Sequence, residues 1–207
     1  SMGTKSKILM KQFWKEVLLL PYKSNTQDKP YHEKQVQNLL EKHGFTIITR
    51  AEFKKEYDGD IDKLPVGFGI YQPNSDQQPP DFRVKYAEGR IIDIECKSSK
   101  GTFPTYNGTL PCEDTVYIFC SLSYNKTTIY FSQDVVSEEI RKWMDETIDQ
   151  LNEVLTDQQK KKPFDKLNRG MDYYIRNMFT QKGPGKKDYF KHSDRQLCES
   201  NVLNYNW

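Results

Sequence analysis

Residues 82–97 alternate apolar and polar side chains in a pattern that few arrangements other than a β-hairpin accommodate. Residues 82–87 and 91–97 read as two strands, and Glu88-Gly89 supplies the tight turn between them. With a period of two, Ile92, Ile94 and Cys96 share one face, while Asp93, Glu95 and Lys97 share the other. Eight positions separate Asp81 from Gly89 and six separate Gly89 from Glu95. Asp81 therefore returns to the end of the second strand beside Glu95, provided one bulge absorbs the difference. Two carboxylates and an ammonium converge on an otherwise apolar hairpin.

The flanking sequence builds a sheet and its cover. Leu9, Phe13, Val17 and Leu20 predict a helix over 6–20, ended by Pro21. A second helix, 31–43, carries Val36, Leu39, Leu40 and His43 on one stripe and stops at Gly44. Residues 45–49, 115–121 and 127–131 read as further strands, residues 57–80 as mostly loop and 98–111 as an irregular stretch. Residues 136–155 predict the strongest helix, with Val136, Ile140, Trp143, Met144, Ile148, Leu151 and Leu155 on one continuous face. A short helix is expected over 171–179. This order predicts an α/β fold, a central mixed β-sheet flanked by helices. With 207 residues and no dividing linker, one domain is expected over 1–207, with a core at about 31–155 and a basic C-terminal region at about 158–207.

Composition excludes several classes. Aromatics at 13% argue against disorder. No stretch approaches the roughly 18–20 apolar residues that span a bilayer. No signal-type apolar segment follows the first residues, and the four scattered cysteines show no metal-ligand spacing, so a reduced, cytoplasmic protein is expected. Nucleophile elbows, phosphate-binding Gly-rich loops and dinucleotide fingerprints are absent. The net charge of +2 hides a strong asymmetry. Residues 133–157 are acidic, whereas 158–198 carry most of the excess lysine and arginine. Such a distribution suits a basic face against a polyanion.

Paired carboxylate oxygens suit hard divalent cations such as Mg²⁺, which retain water and accept phosphate oxygens. A lysine beside such a cation orients or deprotonates a bound water. The competing reading of Glu95 and Lys97 is a surface ion pair on an exposed strand. Glu33 falls on the inward stripe of the second helix, where an acid is costly unless something pairs with it. It reads either as a site residue or as a first-turn acid serving the helix dipole. Asp93 reads as a structural acid. Ser98, Ser99, Lys100, Thr105, Tyr106 and Asn107 follow the hairpin and are suited to phosphate and base contacts. Lys182, Lys186 and Lys187 surround a Gly-Pro-Gly loop suited to a DNA backbone.

Pro80-Asp81, the hairpin, and Glu95-Cys96-Lys97 together resemble the PD-(D/E)XK nuclease superfamily, most closely its type II restriction endonucleases, over about residues 33–131. The resemblance implies a restriction-endonuclease-like core and Mg²⁺-dependent cleavage of double-stranded DNA. It implies that Asp81, Glu95 and the backbone carbonyl of Cys96 bind the metal, that Lys97 handles the water, and that Glu33 supports the site. A palindromic target implies a homodimer. The alternatives are a repair or junction-resolving nuclease and a non-catalytic DNA-binding module built on the same core.

Overall fold

The computed structural model describes residues 7–22, 30–159, 175–181 and 188–207. Its helices are α1 (Met10–Val17), α2 (Pro30–Lys42), α3 (Arg50–Tyr57), α4 (Ser132–Val135), α5 (Glu138–Gln159) and α6 (Ser193–Leu203). Its strands are β1 (Thr46–Thr49), β2 (Phe68–Tyr71), β3 (Phe82–Ala87), β4 (Arg90–Ser99), β5 (Thr105–Asn107), β6 (Thr115–Ser121), β7 (Lys126–Phe131) and β8 (Met178–Thr180). Six strands form a mixed sheet in the order β1-β2-β3-β4-β6-β7. The β1–β2 and β4–β6 pairs are parallel, and the other three are antiparallel. A separate two-stranded sheet pairs β5 with β8.

Alternation along the central strands fills two cores. Ile94, Val116, Ile118, Phe82 and Val84 point to the face covered by α1, α2 and α6. Tyr117, Phe119 and Tyr130 point to the other face, where they meet Tyr106, Tyr189 and Phe190. Burying these side chains is the main favourable term holding the layers together. A smaller cluster of Ile48, Phe53, Leu64 and Ile70 seats α3 at the β1–β2 end. The expected α/β class with a central mixed sheet and flanking helices is observed. Among the described residues, no helix is long and apolar enough to cross a membrane.

Several expectations need correction. The first helix starts at Met10 because Lys7 bridges to Ala87 and the Ile8 amide donates to the Tyr86 carbonyl at 2.7 Å, holding the preceding chain extended. Its buried stripe is Met10, Phe13, Trp14 and Val17, and Leu9 is 68% exposed. The segment read as loop contains β2, and α3 was not expected. The stretch read as irregular after Lys97 contains the end of β4 and all of β5. Of the short helix expected over 171–179, the described residues 175–177 form no regular element, and Met178 and Phe179 belong to the strand β8, paired to β5. Helix α5 forms close to its predicted span, but its stripe is not a covered face: Trp143 is 63% exposed, and Ile140 and Leu151 are both 49% exposed.

Candidate active site

The β3–β4 hairpin sets the geometry of the predicted carboxylates. Ala87 pairs with Arg90 across the two-residue turn, where Gly89 adopts φ 66°, a conformation that glycine accepts without penalty. The register then shifts between Lys85 and Ala87, so that Val84 pairs with Ile92 and Phe82 with Ile94. Tyr86 is the extra residue. Continuing the shifted register places Asp81 opposite Glu95. Without the bulge Phe82 would oppose Glu95, and the carboxylates would fall out of line.

Strand β4 outruns β3. Beyond Ile94 it continues to Ser99 and pairs with β6. The amide of Cys96 instead donates to Asp81 Oδ2 at 2.7 Å. The amide and carbonyl of one strand residue open on the same edge, so the Cys96 carbonyl faces the Asp81 side as well. Cys96 itself packs its side chain toward the α2 face, and burial pushes its thiol well up, away from nucleophilic character.

Asp81, Glu95 and Lys97 line one cavity of about 220 Å³, shared with Tyr106, Asn107 and Cys112. Glu95 and Lys97 do not form an ion pair. The Lys97 ammonium lies 5.1 Å from the centroid of the Tyr106 ring, a cation–π arrangement. Glu33 reaches Asp81 from α2. Its Oε2 accepts a 2.7 Å hydrogen bond from the Tyr71 hydroxyl of β2. Burial, and then the hydrogen-bonded neighbour Glu95 and its charge, push the Asp81 carboxyl up to about 8, against the opposing pull of the Cys96 amide. Glu33 is also raised, first by burial and then by Asp81. Asp93 is held away from this group by a two-pronged pair with Arg83, at 2.7 and 3.0 Å.

Crowded carboxylates at one strand end are a poor arrangement without a cation and a good one with it. Among the described residues, no three His, Cys, Asp or Glu side chains cluster in metal-ligating geometry. Asp81, Glu95 and the Cys96 carbonyl offer hard oxygen donors on one edge, which fits Mg²⁺, an ion that fills the rest of its shell with water and phosphate oxygens.

The predicted DNA-contacting residues separate into groups. Ser98 and Lys100 are exposed at the end of β4, and Ser99 Oγ accepts from the Gly101 amide at 2.9 Å. Thr105 and Asn107 are exposed on β5, whereas Tyr106 between them is 2% exposed. The Tyr106 hydroxyl bonds Tyr130 and Gln181 behind the cavity. Lys182, Lys186 and Lys187 lie outside the described residues. Tyr71, Cys112 and Gln78 were missed as site neighbours. Tyr71 sits on the unread strand β2, and Cys112 reaches the cavity through the turn after β5, so no local pattern marks either one. No protein-family model, curated protein or solved structure matches this chain.

Proposed function

We propose that this chain is a Mg²⁺-dependent endonuclease of the PD-(D/E)XK kind, acting on double-stranded DNA as a type II restriction enzyme. The observation that carries the reading is the cavity shared by Asp81, Glu95 and Lys97, with Asp81 fixed through Oδ2 by the Cys96 amide. Asp81, Glu95 and the Cys96 carbonyl hold the cation. Mg²⁺ bound there neutralises phosphate charge and acidifies water. Lys97 holds the attacking water in line with the scissile P–O3′ bond, leaving a 5′-phosphate and a 3′-hydroxyl. Glu33, tied to Tyr71, buttresses Asp81. Ser98, Ser99, Lys100, Thr105 and Asn107 contact the DNA beside the cleft, and Lys182, Lys186 and Lys187 add backbone charge. A palindromic target is cut by a two-fold homodimer.

Digestion of plasmid DNA with Mg²⁺, followed by sequencing of the ends, tests the reading. Discrete fragments sharing a sequence at their 5′-phosphate ends support it. Cutting confined to branched DNA replaces it with a junction-resolving nuclease. Binding without cutting replaces it with a non-catalytic DNA-binding module.

A further inference from the structure

Glu95 and Lys97 sit two positions apart on one face of β4, roughly 6–7 Å between their Cα atoms. A lysine stem spans that distance easily, and an ammonium paired with Glu95 would occupy a carboxylate that a divalent cation needs. The Lys97 Nζ lies instead 5.1 Å from the centroid of the Tyr106 ring. That ring is held from several sides. The β5–β8 pair sets Tyr106 opposite Phe179. Its hydroxyl donates to Gln181 Oε1 at 2.6 Å and shares a hydrogen bond with the Tyr130 hydroxyl. The Tyr106 and Tyr117 rings meet edge to face, with centroids 5.4 Å apart, and Tyr117 stacks in turn on Tyr130. Tyr117 is also the register partner of Glu95 across the β4–β6 pair. One packed aromatic block therefore backs both the acid and the lysine. Tyr106 is 2% exposed, so it offers almost no surface to a substrate, and whatever it does for the site it does through its neighbours.

We propose that Tyr106 is a positioning residue for Lys97: its ring holds the ammonium off Glu95, so that both carboxylates stay open to the cation. The proposal rests on the nuclease reading and deepens it by assigning what sets the lysine in place. A ring face attracts an ammonium without cancelling its charge. Lys97 is thus held, yet remains a donor for the attacking water. Pairing with Glu95 would fix the ammonium equally well, but at the expense of a metal ligand. The hydroxyl of Tyr106 serves only to lock the ring, through Gln181 and Tyr130.

Two measurements on the full chain test this. In the metal-free wild type, NMR of the lysine ε-methylene protons reads the ring contact directly, with Lys97 assigned by the loss of its signal in Lys97→Arg. The Lys97 protons are expected upfield of the other lysines, shifted by the ring current, and an unshifted Lys97 overturns the proposal whether or not any Tyr106 variant folds. Mn²⁺ affinity, read from the EPR signal of the free ion, then reports the consequence. Tyr106→Leu is expected to weaken Mn²⁺ roughly five- to ten-fold, and Tyr106→Phe, which keeps the ring, less than about two-fold. Adding Lys97→Ala to Tyr106→Leu is expected to return the affinity to that of Lys97→Ala alone, because the competing ammonium is gone. The proposal is overturned if Tyr106→Phe loses as much affinity as Tyr106→Leu, or if Lys97→Ala restores nothing, since Tyr106 then acts through packing alone. Wild type that binds Mn²⁺ and cuts DNA with Lys97 unshifted ends this inference and leaves the nuclease reading standing. Wild type that binds no Mn²⁺ ends both.

Discussion

Asp81 stands opposite Glu95, one position beyond the Phe82–Ile94 pair, and the Tyr86 bulge puts it there. Strand β3 begins only at Phe82, so the Cys96 amide lies beyond its ladder and donates to the Asp81 carboxylate. A single extra residue thereby links the register of a hairpin to the spacing of two acids.

Asp81 works against the stability of the metal-free protein. Its folded carboxyl is raised to about 8 against an ordinary 3.8. Its contribution is therefore fully present below pH 3.8 and is lost as pH rises toward 8, because the unfolded chain ionises first. Asp81→Asn is expected to raise the melting temperature at pH 8 in chelator by a few degrees, where about 1 kcal/mol corresponds to roughly 2–4 °C for a domain of this size. The gain is expected to vanish near pH 4. Melting curves of both proteins at the two pH values check this, and an equal or lower Tm for the variant at pH 8 refutes it.

Lys97 is expected to serve the water and not the DNA. Lys97→Ala should lower Mg²⁺-dependent cleavage by at least roughly 100-fold, the usual contribution of a proton-handling group. Binding of DNA in Ca²⁺, read by anisotropy, should change little. Unchanged cleavage removes Lys97 from the mechanism.

Gly69 is needed for close approach. A Cβ there would meet Ile47 Cδ1 and Val84 Cγ1, both at 2.8 Å. Gly69→Ala is expected to destabilise by about 1–3 kcal/mol, as overpacked interiors do. Urea unfolding measures the loss, and a midpoint equal to wild type contradicts it.

The same glycine explains why β2 was hidden in the sequence. A four-residue strand that gives one position to glycine in order to pass between Ile47 and Val84 loses a branched residue of the kind that announces strands. The β3–β4 hairpin was legible because its alternation and its turn are local, and so were Asp81, Glu95 and Lys97. Strand β5 was not, because it exists by pairing with β8, more than seventy positions away. The partnership of Glu33 with Tyr71 depends on where β2 lies in the sheet, which no local pattern reveals. Periodicity found helix α5 but could not tell whether its apolar stripe was covered.

His32 reports on the core from the side of α2. It is 3% exposed, and its Nε2–H donates to the Ile118 carbonyl at 3.2 Å. Burial holds its pKa at about 4, below the ordinary 6.5. The unfolded chain takes up the proton first as pH falls, so stability is lost between pH 6.5 and 4. His32→Gln keeps a donor for Ile118 and cannot titrate. The loss in urea midpoint from pH 7.5 to 5 is expected to be larger in wild type than in the variant, a comparison in which the opposite contribution of Asp81 cancels. Equal losses contradict the assignment.

The most direct measurement is cleavage of linear double-stranded DNA by wild type and by Glu95→Gln, each with Mg²⁺ and with excess chelator. Metal-dependent fragments from the wild type, and none from the variant or in chelator, are the expected result. Wild-type fragments that persist in chelator, or a Glu95→Gln protein that cuts at the wild-type rate, would contradict hydrolysis by a cation held between Asp81 and Glu95.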